Sequence, residues 1–428
     1  MYALYSLALY AATPLVLARL LVRSLRLPAY RRRWRERFGI VPGRPPAGAV
    51  WFHAVSVGEA QATLPLVRAL RARWPGLPVA VTTTTPTGSE RVRELYGDEV
   101  YHCYLPYDLP SAVARFLSRL APRAAVVMET ELWPNLFRAC ARRAVPVVVA
   151  NARLSARSAA GYRRVRPFIA RVLADTRLIA AQSEADAARF RDLGADPARV
   201  AVTGSVKFDI RLPPSLREQA EALRRQLGAE RPVWIAASTH EGEEEQVLDA
   251  LAQVRHGEPD VLLVLAPRHP ERCDRVAALC RRRGLALVRR SEGRPVATST
   301  AVYLLDTLGE LTLFYGAADV AFVGGSLVPR GGHNVLEAAA QGIPVVIGPH
   351  TFNFALISRQ LVEAGAARRV RDAGQCAAAV ADLLRDPNLR HDMGERGRAL
   401  VDANRGAVER LLARIEPLLG LGGDAGEA

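Results

Sequence analysis

Apolar positions fall along this chain in short blocks separated by helix-spaced stretches. Between residues 49 and 205 the blocks "AVWFHAV", "LPVAVTTT", "VYHCYLP", "AAVVMET", "VPVVVAN", "RLIAAQS" and "VAVTGS" predict buried strands. The stretches between them, such as "EAQATLPLVRALRARW", carry apolar residues at helical spacing. This repeated strand-then-helix order predicts a parallel sheet with helices on both faces. "KFDIRLPPSLREQ" breaks the order with a double proline, and a second series follows: "PVWIAAST", "DVLLVLAP", "LALVRR", "AVYLLDT", "DVAFVGGS" and "IPVVIGP". Proline-bounded, non-periodic residues between two such series predict a linker near Leu212. The expected class is therefore α/β, with Rossmann-like domains over residues 48–211 and 212–402. The amphipathic "RGAVERLLARIEPLLG" predicts a closing helix within 403–420, and 421–428 reads as a flexible tail.

The amino terminus follows a different pattern. "MYALYSLALYAATPLVLARLLV" is apolar up to Arg19, and "RSLRLPAYRRRWRERFG" behind it is dense in arginine. A cleavable signal peptide carries its charge before the apolar stretch, so residues 1–22 are expected to be an uncleaved membrane anchor and 23–47 a basic juxtamembrane segment. About 20 apolar residues can cross a bilayer, and the positive-inside rule would keep the arginines and all that follows in the cytoplasm. Pro14 and Arg19 weaken a span. The competing geometry is an interfacial helix with Arg23, Arg31, Arg32, Arg33 and Arg35 near anionic head groups, and an ordinary core helix is the third reading. Either membrane geometry gives the segment a role in location and not in chemistry.

At 428 residues, 50% hydrophobic and 24% charged, the chain is too apolar to be mainly disordered and long enough for two cores. Its net charge of +15 suits anionic partners such as nucleic acid, phosphorylated lipid or an anionic membrane surface. No nucleic-acid-binding module accompanies the charge, so no nucleic-acid partner is expected. The five cysteines, Cys103, Cys140, Cys273, Cys280 and Cys376, show no CxxC spacing, which argues for a reducing compartment and against a zinc site or a disulfide framework.

Four stretches carry candidate chemistry. In "HAVSVGEAQATLP" a carboxylate, Glu59, follows a glycine where an apolar strand gives way to a helix. It can complement the helix dipole, or, because strand carboxyl ends in open α/β sheets face the ligand crevice, it can act as a general base. "VGGSLVPRGGHNVLEAAAQGIPVVIGP" reads as strand, glycine-rich loop, helix and strand, so that Gly331, Gly332 and the amides after them can approach a phosphate at the helix start. Glu337 lies one helical turn beyond His333, where a carboxylate can accept hydrogen bonds from ribose hydroxyls. "LAPRHPER" sets Arg268 and His269 at a strand end, and "STHEGEEEQ" does the same for Ser238, Thr239 and Glu241. Arg268 suits a phosphate or carboxylate through its planar donor fork. His269 and His333 also fit as hydrogen-bonders at helix starts, and Glu243, Glu244 and Glu245 fit as first-turn dipole partners. There is no HExxH, no zinc-type cysteine pair, no strand-end DxD and no GxGxxG after an expected strand. Neither a metal nor a cofactor is expected, which leaves Lys, Arg and backbone amides to meet a leaving phosphate.

Two Rossmann-like domains facing a central cleft suggest the GT-B architecture of nucleotide-sugar transferases, with the acceptor on the first domain and the donor nucleotide on the second. In addition, "HAVSVGEAQATLPLVRAL", "TTTTPTGSERV", "YLPYDLP", "METELWPN", "ANARLSARSAAGY", "TGSVKFDI", "STHEGEEE", "PRHPER" and "GGSLVPRGGHNVLEAAA" together resemble the 3-deoxy-D-manno-octulosonic acid (Kdo) transferases of lipid A assembly, over nearly the whole chain and in order. The resemblance implies an inverting, metal-independent transfer of Kdo from CMP-Kdo to the lipid A precursor lipid IVA, at the cytoplasmic face of the inner membrane of a Gram-negative bacterium. It also implies site residues. The family's catalytic base falls on Glu59, and its transition-state stabilisers fall on Glu129 of "METE" and Lys207 of "SVKFD". Its CMP contacts fall on Pro267 and Arg268, on Leu308, Gly309 and Glu310, and on Asn334, Val335, Leu336 and Glu337. Lys207 can offset charge on CMP or hold the Kdo carboxylate, and Glu129 can complement an oxocarbenium ion; the alternative is an ion pair between them across the cleft. The rival enzyme reading is a UDP-sugar transferase or epimerase with a soluble acceptor, and the rival non-enzyme reading is a basic nucleic-acid-binding protein.

Overall fold

Short β-branched blocks flanked by Gly, Pro and polar residues become two all-parallel sheets of seven strands each. The computed structural model describes residues 1–210 and 212–421. The expected tail therefore lies, from 422 onward, outside the described residues. The chain divides into two units, Met1–Asp209 together with the chain from Arg405, and Ile210–Asn404.

The first unit holds β1 (Val50–His53), β2 (Val79–Thr83), β3 (Tyr101–Tyr104), β4 (Ala124–Met128), β5 (Val147–Ala152), β6 (Leu178–Ala181) and β7 (Val200–Val202), ordered 3-2-1-4-5-6-7. Alternate residues of each strand serve opposite faces. Trp51 joins Phe116 and Phe137 in one core, and Phe52 joins Leu66 and Leu70 in the other. The helix Ala407–Ile415 belongs to that second core through Val408, Leu411 and Leu412. Asp209 fastens it there, because its two carboxylate oxygens accept the Gly406 and Val408 N–H groups at 2.5 Å each.

The second unit holds β8 (Val233–Thr239), β9 (Leu262–Pro267), β10 (Leu287–Arg289), β11 (Val302–Leu304), β12 (Val320–Val323), β13 (Val345–Ile347) and β14 (Ala367–Arg369), ordered 10-11-9-8-12-13-14. Six of these coincide with the expected blocks. The seventh, β14, was not foreseen, because "ARR" on a sheet edge pairs with β13 alone and has no apolar signature.

The strand order turns between β1 and β4 in the first sheet and between β8 and β12 in the second, where β10 and β11 are also exchanged at the edge. Ligands in open α/β sheets bind outside the carboxyl ends of the strands at such switch points.

The amino-terminal helix runs Tyr2–Arg26 without a break at Pro14. It is the one helix among the described residues long and apolar enough to cross a membrane. It is not a free tether, however. Tyr2 Oη donates to Asp175 (2.8 Å), Tyr5 Oη donates to Asp108 (3.0 Å), and Ser6 Oγ donates to Asn135 (3.0 Å). Arg33, expected near lipid head groups, is turned inward: it forms a double hydrogen bond with Glu36 at 2.7 Å and lies 4.4 Å over the Tyr104 ring. Arg31, Arg32 and Arg35 stay exposed.

Candidate active site

Glu59 stands on the first turn of the helix Val57–Arg73, directly after β1. Ser56 is the N-cap, and the two side chains cap each other: Glu59 N–H donates to Ser56 Oγ (3.3 Å), while Ser56 Oγ donates to Glu59 Oε1 (2.9 Å). The second carboxylate oxygen accepts the Val55 N–H at 2.8 Å. The side chain is only 9% exposed. Burial pushes its carboxyl up to about 7 against the pull of the Val55 N–H, and the neighbouring carboxylates Glu129 and Glu131 push the same way.

Glu129 follows β4, across the switch point, with a left-handed backbone at φ 57°. For a non-glycine residue that conformation is costly, and it aims the side chain away from the strand's own pleat. Lys207, on the turn Val206–Phe208 after β7, donates to Glu129 Oε1 at 3.1 Å, and Arg153 Nη2 lies 4.0 Å from Oε2. Glu129 and Lys207 are thus an ion pair within the first unit, the alternative that sequence reading had left open for them.

Four buried polar atoms on segments at this same edge have no hydrogen-bond partner in the protein: His53 Nε2, Asn151 Nδ2, Thr203 Oγ1 and Ser205 Oγ. The other ring nitrogen of His53 is engaged by Thr82 Oγ1 at 2.9 Å, and burial holds the imidazole neutral, its pKa lowered to about 3. Sequence reading passed over all four, since only the fold brings the ends of β1, β5 and β7 to one edge.

The second unit gathers the remaining candidates. Ser238, at φ 56°, breaks the register of β8 against β9, and the Arg268 N–H then donates to Thr239 O at 2.9 Å just beyond Pro267. The Arg268 side chain is exposed. The glycine-rich loop after β12 is organised by Glu243, which was read from sequence as a dipole partner. Its buried carboxylate accepts N–H groups from Gly325 (2.7 Å), Ser326 (3.0 Å), Leu327 (2.9 Å) and His240 (3.2 Å). A Cβ on Gly324 would meet that carboxylate at 2.7 Å, which is why the position is glycine.

The loop departs from expectation in two respects. The Gly332 N–H is already spent on Gly325 O at 2.8 Å, and Gly331 O accepts the Asn353 N–H at 3.0 Å, so these glycines shape the loop and the Gly332 amide is not open to a phosphate. The helix that follows is a single turn, Leu336–Ala339, with Val335 just before it. Asn334 starts it, accepting the Leu336 N–H at 3.1 Å while donating to Glu337 Oε1 at 2.8 Å. Thr312 donates to the other Glu337 oxygen at 3.0 Å, which ties this turn to the segment holding Leu308, Gly309 and Glu310. Leu308 is 80% exposed. Glu310 is held by Arg290 at 2.7 Å, and that hydrogen bond lowers its pKa.

His333 does not simply start a helix. Its Nε2 lies 2.8 Å from Nε2 of His240, with ring planes 10° apart and centroids 5.1 Å apart, the geometry of an edge-to-edge N–H···N bond. Burial, with the neighbours His269, Arg330, Arg268 and Arg272, lowers the His240 pKa to about 4; burial, with its histidine and arginine neighbours, lowers that of His333 to about 3. Both imidazoles are therefore neutral near pH 7, and the positive charge that suits this edge to an anion comes from the arginines around them. His240, Glu243 and Arg290 had no distinguishing sequence signal, since each acts through a partner at least 20 residues away.

Residues 32–210 match the family described as 3-deoxy-D-manno-octulosonic-acid transferase (kdotransferase), and residues 290–400 match glycosyl transferases group 1. The chain is 42% identical over 418 residues to the 3-deoxy-D-manno-octulosonic acid transferase of Haemophilus influenzae, covering 97% of this chain and 98% of that one. It belongs to the 3-deoxy-D-manno-octulosonic acid transferase family. The Bordetella pertussis transferase of the same name is 40% identical, with 97% and 99% covered. Among solved structures, MurG of Acinetobacter baumannii aligns with 87% of this Kdo transferase and 100% of its own chain at a TM-score of 0.56 and 14% identity, which places the fold in the GT-B class.

Proposed function

We propose that this Kdo transferase moves Kdo from CMP-Kdo to a sugar hydroxyl of lipid IVA, with inversion at the anomeric carbon and with Glu59 as general base. The observation that carries the reading is the state of Glu59: a buried carboxyl at the switch point of the first sheet, with a pKa of about 7. A base of that strength is divided between its two forms near neutral pH, where proton removal is most effective. Glu59 takes the hydroxyl proton as the acceptor oxygen bonds to the anomeric carbon of Kdo. The bond from that carbon to the phosphate oxygen breaks with its electron pair, and CMP leaves from the opposite face.

Lys207, held by Glu129, offsets negative charge on the Kdo carboxylate or on departing CMP, and Glu129 stabilises the oxocarbenium-like centre. On the second unit Arg268 and the His240–His333 edge meet the phosphate. The Glu337 and Glu310 turns, with Pro267, Ser238 and Thr239, hold the nucleoside. The unpartnered polar atoms beside Glu59 and Glu129 support a hydroxyl-rich ligand on the first unit. The apolar amino-terminal helix and the arginines after it support a location on the cytoplasmic face of the inner membrane, where a bisphosphorylated lipid acceptor resides.

The test is mass spectrometry of lipid IVA incubated with CMP-Kdo and the enzyme. The expected product gains Kdo with the wild type and not with Glu59→Gln, and CMP but not UDP inhibits. Inhibition by UDP with no Kdo adduct would return the UDP-sugar reading.

A further inference from the structure

The helix Tyr2–Arg26 divides lengthwise into two unlike faces. Tyr2, Tyr5, Ser6, Leu9, Leu20 and Ser24 recur at helical spacing on the side turned to the first unit, half-buried at the start and buried at the end. The opposite ridge, Leu4, Leu7, Leu15, Val22 and Leu25, is 63–74% exposed. Docking on the body of the unit comes from the first three turns, where Tyr2, Tyr5, Ser6 and Tyr10 bond to Asp175, Asp108, Asn135 and Ser111, while Ser24 near the other end meets Arg31 of the turn that follows.

A helix that crossed the bilayer would carry its first turns through the hydrocarbon, away from the arginines at its other end. Those first turns are bound to charged groups of the folded unit. Tyr2 meets Asp175, Tyr5 meets Asp108, and the Arg138 guanidinium lies 4.3 Å over the Tyr2 ring. Asp108 is in turn fixed by the Asn135 and Leu136 N–H groups at 3.0 and 2.8 Å, so it belongs to the rigid body of the unit. Carrying such carboxylates and a guanidinium into hydrocarbon is prohibitive, and releasing them would uncover Phe168, on which Tyr2 and Tyr5 pack at 5.3 and 5.5 Å.

We propose that this helix does not span: it lies flat in the head-group region of an anionic leaflet, with the Leu4–Leu7–Leu15–Val22–Leu25 ridge in lipid and both of its ends on the side of the folded unit. The exposed Arg19 and Arg23 on the helix and Arg31, Arg32 and Arg35 just after it select an anionic lipid surface as the occupant and disfavour a second copy of this +15 chain. This deepens the membrane placement proposed above, and its test does not involve sugar transfer.

The native cysteines are all buried, so single cysteines at Leu4, Leu15 and Val22 of the full chain can carry a fluorophore without competition. In phosphatidylethanolamine–phosphatidylglycerol vesicles all three labels should report the same shallow depth, and a tag on Met1 should be cleaved by protease added on the side of the folded unit. A depth gradient from Val22 to Leu4, or a protected tag, would overturn the proposal. The triple variant Leu4→Gln, Leu7→Gln, Leu15→Gln should melt like the wild type, because these side chains touch solvent, yet lose vesicle binding by about a hundredfold. Unchanged vesicle binding in that variant would equally overturn it. If Kdo transfer failed while the depth profile held, the proposed function would fall and this inference would stand.

Discussion

In the proposed mechanism Glu59 serves two ends with one carboxylate. Its reciprocal hydrogen bonds with Ser56 start a helix, and the burial this requires raises its pKa into the range of a useful base. The dipole and base readings that sequence left open are therefore compatible, since a carboxylate can cap a helix in the resting site and accept a proton during turnover. Glu59→Gln should lower the transfer rate by a factor of about 10² to 10⁴ with little change in CMP affinity. In the wild type the rate should rise with pH through about 7 as Glu59 ionises, and residual activity in the variant should lack that limb. Stability runs the other way. A carboxyl raised in the folded state favours folding below its unfolded value and loses that contribution as pH rises through about 7, so Glu59→Gln should gain stability relative to the wild type above that pH. Denaturant melts at pH 5 and 8 check the sign, and a near-normal rate in the variant would remove Glu59 as the base. On the second unit, Arg268→Ala and Glu337→Ala should each weaken CMP by roughly 1.5–3 kcal/mol, the loss of a charge-assisted hydrogen bond. Arg268 should do so without a change in melting, because its side chain is exposed, whereas Glu337 also releases Asn334 and Thr312. Calorimetry with unchanged CMP affinity in both would refute the donor placement.

At the scale of elements, the legible parts are those whose signal is local. Apart from β14, the strands of both sheets fall in short, mostly apolar blocks, and the strand-to-helix turn at Glu59 is written in consecutive residues. What escaped sequence reading depends on which strands become neighbours. β8 and β12 are side by side, so the turn after one supplies Glu243 and His240 to the loop after the other, 82 and 93 residues away. Arg33 misled for a related reason: within a run of arginines it reads as solvent-facing, yet Glu36 and Tyr104 draw it inward. The Glu243 network makes a sharp prediction. Glutamine keeps one acceptor oxygen and turns an NH₂ group toward the amides of Gly325, Ser326, Leu327 or His240, which leaves buried donors unpaired at about 1–3 kcal/mol each. Glu243→Gln should therefore lower both the melting temperature and the affinity for CMP, the latter by roughly tenfold or more. Titration calorimetry beside a thermal melt tests this, and a variant that matches the wild type in both would show that the loop holds its shape without the carboxylate.

At the scale of the molecule, each unit presents its candidate chemistry at the switch point of its own sheet, the proposed base on one and the proposed anion-binding edge on the other. The first unit is also discontinuous: the chain leaves it at Asp209 and re-enters at Arg405. Hydrophobic periodicity announces a closing helix but not what holds it, because the fastening residue lies 197 positions upstream of Gly406. Gly406 has no side chain with which to cap the helix Ala407–Ile415, and Asp209 supplies the missing acceptor from the other end of the excursion. Arg73 adds ion pairs to Glu409 and Glu416 on the exposed side. Removing the cap should therefore weaken one unit and spare the other. Asp209→Ala should cost the first unit about 2 kcal/mol, a drop of roughly 4–8 °C in its melting for a unit of this size. Separate cores predict two calorimetric transitions, of which only the one that also responds to a core change at Leu411 should move. CMP, proposed to bind the second unit, should raise the other transition equally in the wild type and in Asp209→Ala. If Asp209→Ala lowered both transitions together, or lowered the one that CMP raises, the two units would not unfold independently and the cap would be supporting the whole chain.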